Sequence, residues 1–340
     1  MELLLAVFMD DFRCLPGISQ PKSYQECVRM YPQEFEELHC HLYPKLMHAA
    51  THLGPIGTRQ RLAVFLRYAG HGGTWNQISG EFVIGSSTAS KIVREVALAT
   101  IEVLHDAAFP RPTNRTWMAP LSGFRRSTIQ LPWVQLDGKH IAVVRPSESG
   151  SLYYNYKGYY SIVLLALLDA DYRCIIYDLG ATGRSSDAGV FSRSLMKDHD
   201  DDFPQPQGNM GKVPCHLLVD QGFRQTVRFI RPYSQVEASK DIKARRVVEN
   251  FFGILANRFR ILMREISGPS SVAWKITLAI MILHNLLVES VGAEVAVQRF
   301  GFSDPIQEAE EPGVSGNVPY SSKTTREALK EYFARRDGLM

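Results

Sequence analysis

Two aspartates stand inside short apolar runs that read as β-strands. Asp137 lies near the middle of WVQLDGKHIAVV, residues 133–144, and Asp220 follows the apolar part of CHLLVDQGF, residues 215–223. A carboxylate in a buried strand is costly unless it binds something, most often a cation. The chain must therefore fold so that both strands lie beside a site that stabilises negative charge.

A third acid, Glu249, follows Asp220 after 29 residues and lies on a stretch with helical periodicity. Residues 244–264, ARRVVENFFGILANRFRILMR, carry apolar side chains at the spacing of one amphipathic helix. Glu249 is expected at the edge of the apolar face, on a stripe shared with Arg246, Gly253, Ala256 and Arg260. The alternative is an ordinary core helix with a solvated charged edge. Hard oxygen ligands such as these three carboxylates suit Mg²⁺ or Mn²⁺, and two such ions can run phosphodiester chemistry.

The positive charge is concentrated in the middle of the chain. The formal net charge is +3, from 38 Lys and Arg against 35 Asp and Glu. Residues 1–110 hold 9 basic and 11 acidic groups and residues 291–340 hold 6 and 8, which leaves 23 against 16 for residues 111–290. A basic central region with acidic flanks favours a polyanionic substrate such as DNA.

The first part of the sequence is typical of helices. Residues 57–72 predict one amphipathic helix, TWNQISGEF a short second helix with Thr74 as its N-cap, and residues 86–105 a long third helix. This pattern predicts a helix-turn-helix, whose third helix would carry outward DNA-binding groups at Ser87, Thr88, Ser90, Lys91 and Arg94. The alternative is a helical scaffold that packs on the catalytic domain, and the acidic balance of the region leaves both open.

Beyond a proline-rich segment at 109–120 the periodicity changes to that of short strands. Residues 159–170 and 172–180 predict an antiparallel hairpin, with Asp169 and Asp171 as turn residues. The expected fold is mixed α/β, a sheet with helices on its faces. Three regions are predicted: residues 1–115 as an all-helical, helix-turn-helix-like region, residues 116–290 as the catalytic domain, and residues 291–340 as a flexible tail.

The sequence predicts an intracellular protein without a membrane segment. Five scattered cysteines argue for a reducing compartment. The first residues do not form a convincing signal peptide, and apolar runs such as SIVLLALL are too short to span a bilayer.

Six blocks, in this order, resemble those of the PIF/Harbinger transposase superfamily, the DDE-type group that includes the Harbinger transposase-derived nucleases. They are VQLDGKHI, YNYKGYYSIVLLALLDADYR, SSDAGVF, LLVDQGF, RRVVENFFGILANRFRIL and IMILHNLL. The resemblance covers roughly residues 55 to 290. It implies an RNase H-like catalytic domain, in which Asp137, Asp220 and Glu249 are the catalytic triad and the ligands of Mg²⁺ or Mn²⁺.

Other residues are assigned around this triad. Lys139 is expected on the same strand face as Asp137 and, with Arg245, Arg246 and Arg260, is a predicted DNA-binding residue. Asp187 corresponds to an acid in the family's SxxHD-like segment, but Ser186 stands here in place of the His, and Asp187 is not assigned to the site. His284 and Asn285, in the final block, are expected to be buried structural groups.

The function predicted from the residues and the resemblance is that of a metal-dependent DNA endonuclease or transposase, a hydrolase of phosphodiester bonds. The alternative is a domesticated DNA- or protein-binding factor without turnover, and an RNase H-like enzyme acting on RNA is a third reading. The resemblance also implies a Myb/SANT-like DNA-binding partner that supplies site recognition and nuclear import. Nuclear localisation is therefore expected, partly cytoplasmic without the partner, and a homo-oligomer is left open.

Overall fold

The computed structural model describes residues 21–49, 55–111, 133–169, 171–194, 196, 216–220, 222–226, 229–231 and 251–301. Its helices in the first part of the chain are α1 (Pro21–Val28), α2 (Pro32–Leu46), α3 (Thr58–His71), α4 (Trp75–Phe82) and α5 (Ser86–Ala108). The later helices are α6 (Asp187–Phe191), α7 (residues 251–258), α8 (Ser270–Val291) and α9 (Ala293–Phe300). The strands are β1 (Trp133–Ala142), β2 (Ser161–Leu168), β3 (Cys174–Thr182), β4 (His216–Leu218) and β5 (Phe229–Ile230).

The strands form one mixed sheet in the order β3-β2-β1-β4-β5. The β2–β3 pair is antiparallel, as the sequence predicted, whereas β4 runs parallel to both β1 and β5. All of β2 is buried, which fits its unbroken apolar sequence SIVLLALL. The predicted mixed α/β class is therefore confirmed. Strand β5 was not predicted, because a two-residue strand carries no readable periodicity.

The chain divides into two compact units, of which the first is mainly helical. This helical unit draws on Met1–Pro110, Ile141–Ser149 and Leu255–Leu286. The three helices predicted at 57–105 are present as α3, α4 and α5, and Thr74 caps α4 by accepting a hydrogen bond from the Gln77 amide. Ala89, Ile92, Val93 and Val96 of α5 are buried, as their helical spacing predicted. Whether these helices act as a helix-turn-helix stays a prediction.

Helix α3 ends at a glycine that the packing requires. Gly72 has a φ of +65° and lies so close to the 3-10 turn Arg260–Met263 that an added Cβ would stand 3.1 Å from the Arg260 carbonyl oxygen. Later in the unit, the Asn285 side chain donates to the carbonyl oxygen of Ala108, 3.0 Å away. His284 and Asn285 are fully buried, as predicted for structural groups.

The second unit contains the sheet and draws on Arg111–His140, Gly150–Ile254 and Leu287–Met340. Its core includes Leu136 of β1, Val163 and Leu165 of β2, and Val219 and Phe223 after β4. At the β2–β3 turn, Asp169 Oδ1 accepts the amides of Asp171 and Arg173 at 2.9 and 2.8 Å. Asp169 is thus the turn residue that the sequence predicted.

The amphipathic helix predicted over residues 244–264 ends earlier than expected. Among its described residues, 251–258 are α-helical and Arg260–Met263 form a 3-10 turn. The prediction that Arg260 shares a helical stripe with Gly253 and Ala256 is therefore wrong. Apolar spacing alone could not show this end, since Phe259 and Leu262 are buried on either side of the break.

Helix α8 corrects the expectation that every apolar run is too short to span a bilayer. Its 22 residues have the length and hydropathy of a membrane span, yet 78% of its most apolar window is buried inside the protein. A helix that is apolar all round fits a protein core as well as a membrane. The run was overlooked because Lys275, Thr277, His284 and Asn285 interrupt it.

Residues 293–300, the start of the predicted flexible tail, form helix α9. Phe300 is buried and packs in a small cluster with Ile254 and Leu287. Residues 302–340 of the predicted tail lie outside the described part of the chain.

Candidate metal centre

Three aspartates of the second unit converge on one point. Asp137, Asp187 and Asp220 each offer a carboxylate oxygen, and these oxygens all lie within 4.8 Å of one another. Asp187 is only 3% exposed, and Asp137 and Asp220 are partly buried. The structure thus brings together two of the three predicted acids and adds one that was set aside.

The sheet register places Asp137 beside Asp220. Strands β1 and β4 are parallel, and Gln135 pairs with Leu218 at the end of their ladder. Asp137 lies two residues further along β1, and Asp220 comes two residues after the end of β4, so the same register leads to both. The parallel direction matters because both chains run the same way from the Gln135–Leu218 pair, so the residues two positions further on lie side by side.

Asp187 enters the cluster from the start of helix α6. Ser186 is the N-cap of this helix, and its hydroxyl oxygen accepts a hydrogen bond of 3.3 Å from the Gly189 amide. The carboxylate then lies against Gly138 of β1, where any added Cβ would overlap it. A glycine at position 138 is therefore what allows the Asp187 carboxylate to approach the strand.

Short local hydrogen bonds orient the other two carboxylates. Asp137 Oδ1 accepts the amide of Gly138 at 2.8 Å, and Asp220 Oδ1 accepts the amide of Gly222 at 3.0 Å. A carboxylate oxygen held by an amide keeps lone pairs for a further ligand. Both side chains are thus oriented without losing their capacity to bind a cation.

Glu249, Arg245 and Arg246 lie outside the described residues. The described part of α7 starts at Phe251, two residues after Glu249, and the Phe252 ring lies 5.5 Å from Lys139 Nζ. Lys139 follows Asp137 by two residues on β1, so the beginning of α7 lies close to the strand that carries the first aspartate.

The remaining predicted DNA-binding residues lie in the helical unit. Ser87, Lys91 and Arg94 of α5 are exposed, Thr88 and Ser90 are partly buried, and Arg260 is exposed on its 3-10 turn. These positions leave their side chains available to a ligand, and their role in binding DNA stays a prediction.

The donor set of the cluster fits a hard divalent cation. Two oxygens that bind one Mg²⁺ at about 2.1 Å can be at most about 4.2 Å apart. The three carboxylate oxygens lie within 4.8 Å of one another, so small shifts of their side chains would allow all three to bind one ion. Three carboxylates this close repel one another, and a divalent ion removes that repulsion. Asp137, Asp187 and Asp220 are therefore a possible metal-binding triad.

Residues 136–285 match the family model described as DDE superfamily endonuclease. The matched region includes all three clustered aspartates and extends into α8. Comparison with curated proteins and with solved structures gave no further match. The family match and the acidic cluster together fit a nuclease of the DDE type.

Asp187 is the residue that the sequence reasoning missed as a member of the site. Its signal was present in the SSDAGVF block, where an acid follows an N-cap serine. Asp187 is not predicted as a site residue because Ser186 precedes it where the family has a histidine. The decisive fact, its approach to Gly138, depends on tertiary contacts between residues 49 positions apart.

Proposed function

We propose that this protein is a metal-dependent DNA endonuclease or transposase of the PIF/Harbinger type, with an RNase H-like catalytic domain. The cluster of Asp137, Asp187 and Asp220 inside the DDE endonuclease match is the observation that carries the proposal. The ordered blocks from VQLDGKHI to IMILHNLL support the PIF/Harbinger type. The sheet, whose neighbouring strands β1 and β4 bring Asp137 and Asp220 together, supports the RNase H-like domain.

Four carboxylates would hold the metal under this proposal. Asp137 supplies an oxygen from the middle of β1, Asp220 supplies one from just after β4, and Asp187 adds a third from the first residue of α6. Glu249, two residues before the described part of α7, would join them, which is supported by the Lys139–Phe252 contact at the start of that part. When bound, Mg²⁺ or Mn²⁺ supplies Lewis-acid stabilisation at phosphorus and a nucleophile from water.

The chain's own residues have separate tasks. The amides of Gly138 and Gly222 hold the first and second carboxylates in place, so little side-chain reorganisation is needed when a cation arrives. Lys139, beside the cluster on the same strand, would contact a phosphate of the bound DNA. DNA is the proposed substrate because the basic surplus lies in residues 111–290.

The test is cleavage of supercoiled plasmid and of linear DNA in Mn²⁺ or Mg²⁺, with and without EDTA. Wild type is expected to nick DNA, and Asp137→Asn, Asp220→Asn and Glu249→Gln to reduce the rate at least about a hundredfold, the usual cost of losing one group that stabilises the transition state. Asp187→Asn is expected to fall in the same class. Asp171→Asn, which removes an exposed acid of the same unit, is the matched control and should cut like wild type.

Thermal melting of the same variants separates metal binding from catalysis. Millimolar Mn²⁺ should raise the Tm of wild type and of Asp171→Asn, because a ligand that binds only the native state stabilises it. The carboxylate variants should lose that rise while they keep a cooperative transition in EDTA. A wild type that neither cuts DNA nor shifts with metal would contradict the proposal and favour a domesticated binding factor.

A further inference from the structure

The segment between β1 and β2 forms an ordered turn rich in tyrosine, here called the tyrosine turn and defined as residues 151–160, SLYYNYKGYY. Buried Asn155 holds it together. Its Oδ1 accepts the amides of Lys157 and Tyr159 at 3.0 and 3.2 Å, and its Nδ2 donates to Ser161 Oγ at 2.9 Å. Because one buried side chain satisfies three groups, the turn is fixed before any ligand binds.

Backbone contacts reinforce this conformation. Tyr154 and Tyr160 form a β-bridge, and the Ser161 amide donates to the Tyr153 carbonyl oxygen at 2.8 Å. Gly183 lies so close to Tyr153 and Ser161 that an added Cβ would overlap both. The turn therefore packs against the end of β3 without room for adjustment.

Apolar and aromatic side chains of this rigid turn face solvent. Leu152, Tyr154 and Tyr156 are 55%, 47% and 49% exposed. Tyr156 is oriented by its neighbours, with Lys157 Nζ at 5.5 Å from its ring centroid and the His140 ring at 5.6 Å. Rings that are both exposed and held in place can stack on a planar ligand at little cost in conformational entropy.

The charged residues that the sequence and the backbone contacts place at this turn are basic. Between Glu148 and Asp169 the sequence contains no acid, whereas Lys157 lies within the turn. Arg184, whose amide donates to the Leu152 carbonyl oxygen at 3.2 Å, has an exposed side chain. A basic and aromatic surface matches a strand of nucleic acid, whose bases stack and whose phosphates need cations.

The position of the turn connects it with the acidic cluster. His140, which contacts the rings of Tyr156 and Tyr159, follows Asp137 by three residues on β1. Three residues of strand span about 10 Å, which is about the axial rise of three base pairs of duplex DNA. A strand that meets the carboxylates can thus reach the tyrosine turn with its next few nucleotides.

We infer that the tyrosine turn binds unpaired bases of the DNA strand next to the cleavage site, by stacking on Tyr154 and Tyr156. This inference rests on the proposed function for its substrate and adds a preference for locally unpaired DNA. Lys157 and Arg184 contact the phosphates that flank the stacked bases. Fully paired duplex, whose bases are stacked on one another, gains nothing from these rings.

The experiment measures binding in EDTA, where the proposed metal chemistry cannot take place. Fluorescence anisotropy gives the Kd for a 20-nucleotide oligothymidine and for a 20-base-pair duplex, with wild type and with Tyr154→Ala/Tyr156→Ala. The double variant should bind the single strand at least roughly tenfold more weakly, the scale of losing stacked bases, and the duplex within about twofold of wild type.

Two controls keep the result interpretable. Tyr154→Phe/Tyr156→Phe retains the rings and should bind the single strand like wild type. Tyr43→Ala removes a 45% exposed tyrosine of the helical unit and should change neither affinity. An unchanged single-strand Kd in the alanine variant, or equal losses for both DNAs, would overturn the inference. A wild-type protein that does not cut DNA, but whose preference for the single strand depends on the two tyrosine rings, would instead count against the proposed function alone.

Discussion

A single buried carboxylate at the β2–β3 turn is expected to make the stability of this protein depend on pH. Burial raises the pKa of Asp169 to about 6. The hydrogen bond from the Arg173 amide and the Arg173 charge act in the opposite direction and offset part of this rise. A carboxyl whose pKa is higher in the folded than in the unfolded chain stabilises the fold in its protonated form. That contribution is complete below about pH 4, the unfolded pKa, and is lost as the pH rises through about 6.

Asp169→Asn should remove this dependence. The amide oxygen of Asn can still accept the Asp171 and Arg173 amides, but it carries no charge at neutral pH. A pKa difference of about two corresponds to roughly 3 kcal/mol, so the variant should gain up to that amount over wild type between pH 4 and pH 7. Urea unfolding at both pH values measures the difference. Parallel pH profiles of the two proteins would contradict the prediction.

At the scale of elements, the short helix α6 connects local capping with the acidic cluster. A helix of five residues makes few internal hydrogen bonds, so its N-cap carries much of its local stability. Ser186 supplies that cap, and Asp187 is the next residue. The position of the buried carboxylate therefore depends on the cap.

Ser186→Ala and Thr74→Ala form a matched pair that tests this dependence. Each removes the N-cap of a short helix and should destabilise the protein by about 1 kcal/mol. Only Ser186→Ala should also weaken the Mn²⁺-induced rise in Tm, because only α6 carries a residue of the cluster. The readout is the metal-induced difference for each variant against its own EDTA melt. Equal metal responses in the two variants would show that the cap does not position Asp187.

At the scale of the whole molecule, the distribution of charge bears on how the protein finds its target. The first 110 residues, which include the predicted helix-turn-helix, carry 9 basic and 11 acidic groups. We expect a region with this charge balance, and few outward basic groups on its third helix, to bind DNA weakly and with little sequence discrimination. We therefore propose that a separate Myb/SANT-like protein recognises the site and carries this chain into the nucleus, as the resemblance to PIF/Harbinger elements implies.

Expressed alone, the tagged protein should be partly cytoplasmic and should show a shallow preference among DNA sequences. Co-expression with such a partner should move it into the nucleus and increase that preference, which microscopy and binding to a randomised DNA pool would measure. Site-specific binding by the isolated chain in 150 mM salt, at roughly nanomolar Kd, would instead make the helix-turn-helix the element that reads the target. Sedimentation of the same sample reports whether a homo-oligomer forms.

The sequence by itself determined the features that depend on neighbours along the chain. Two apolar runs joined by a tight connection predicted the β2–β3 hairpin, and the helical period predicted α3, α4 and α5 with the Thr74 cap. Acids inside apolar runs indicated Asp137 and Asp220, because an unpaired buried charge is costly wherever the strand lies. Periodicity alone placed the end of α7 wrongly, since a 3-10 turn can keep the same residues buried.

Only the tertiary structure decided which residues meet. The parallel register of β1 and β4 sets Asp137 beside Asp220, although 83 residues separate them. Asp187 joins them because Gly138 lacks a side chain at the point of contact, a coincidence of two distant positions that no local pattern encodes. Likewise, the composition of α8 fits a membrane span as well as a core helix. Hydropathy could not separate these two, and the burial of α8 in the fold identifies it as a core helix. The sequence shows which side chains are costly to bury alone, whereas the packing of segments that are remote in sequence decides which partners surround them.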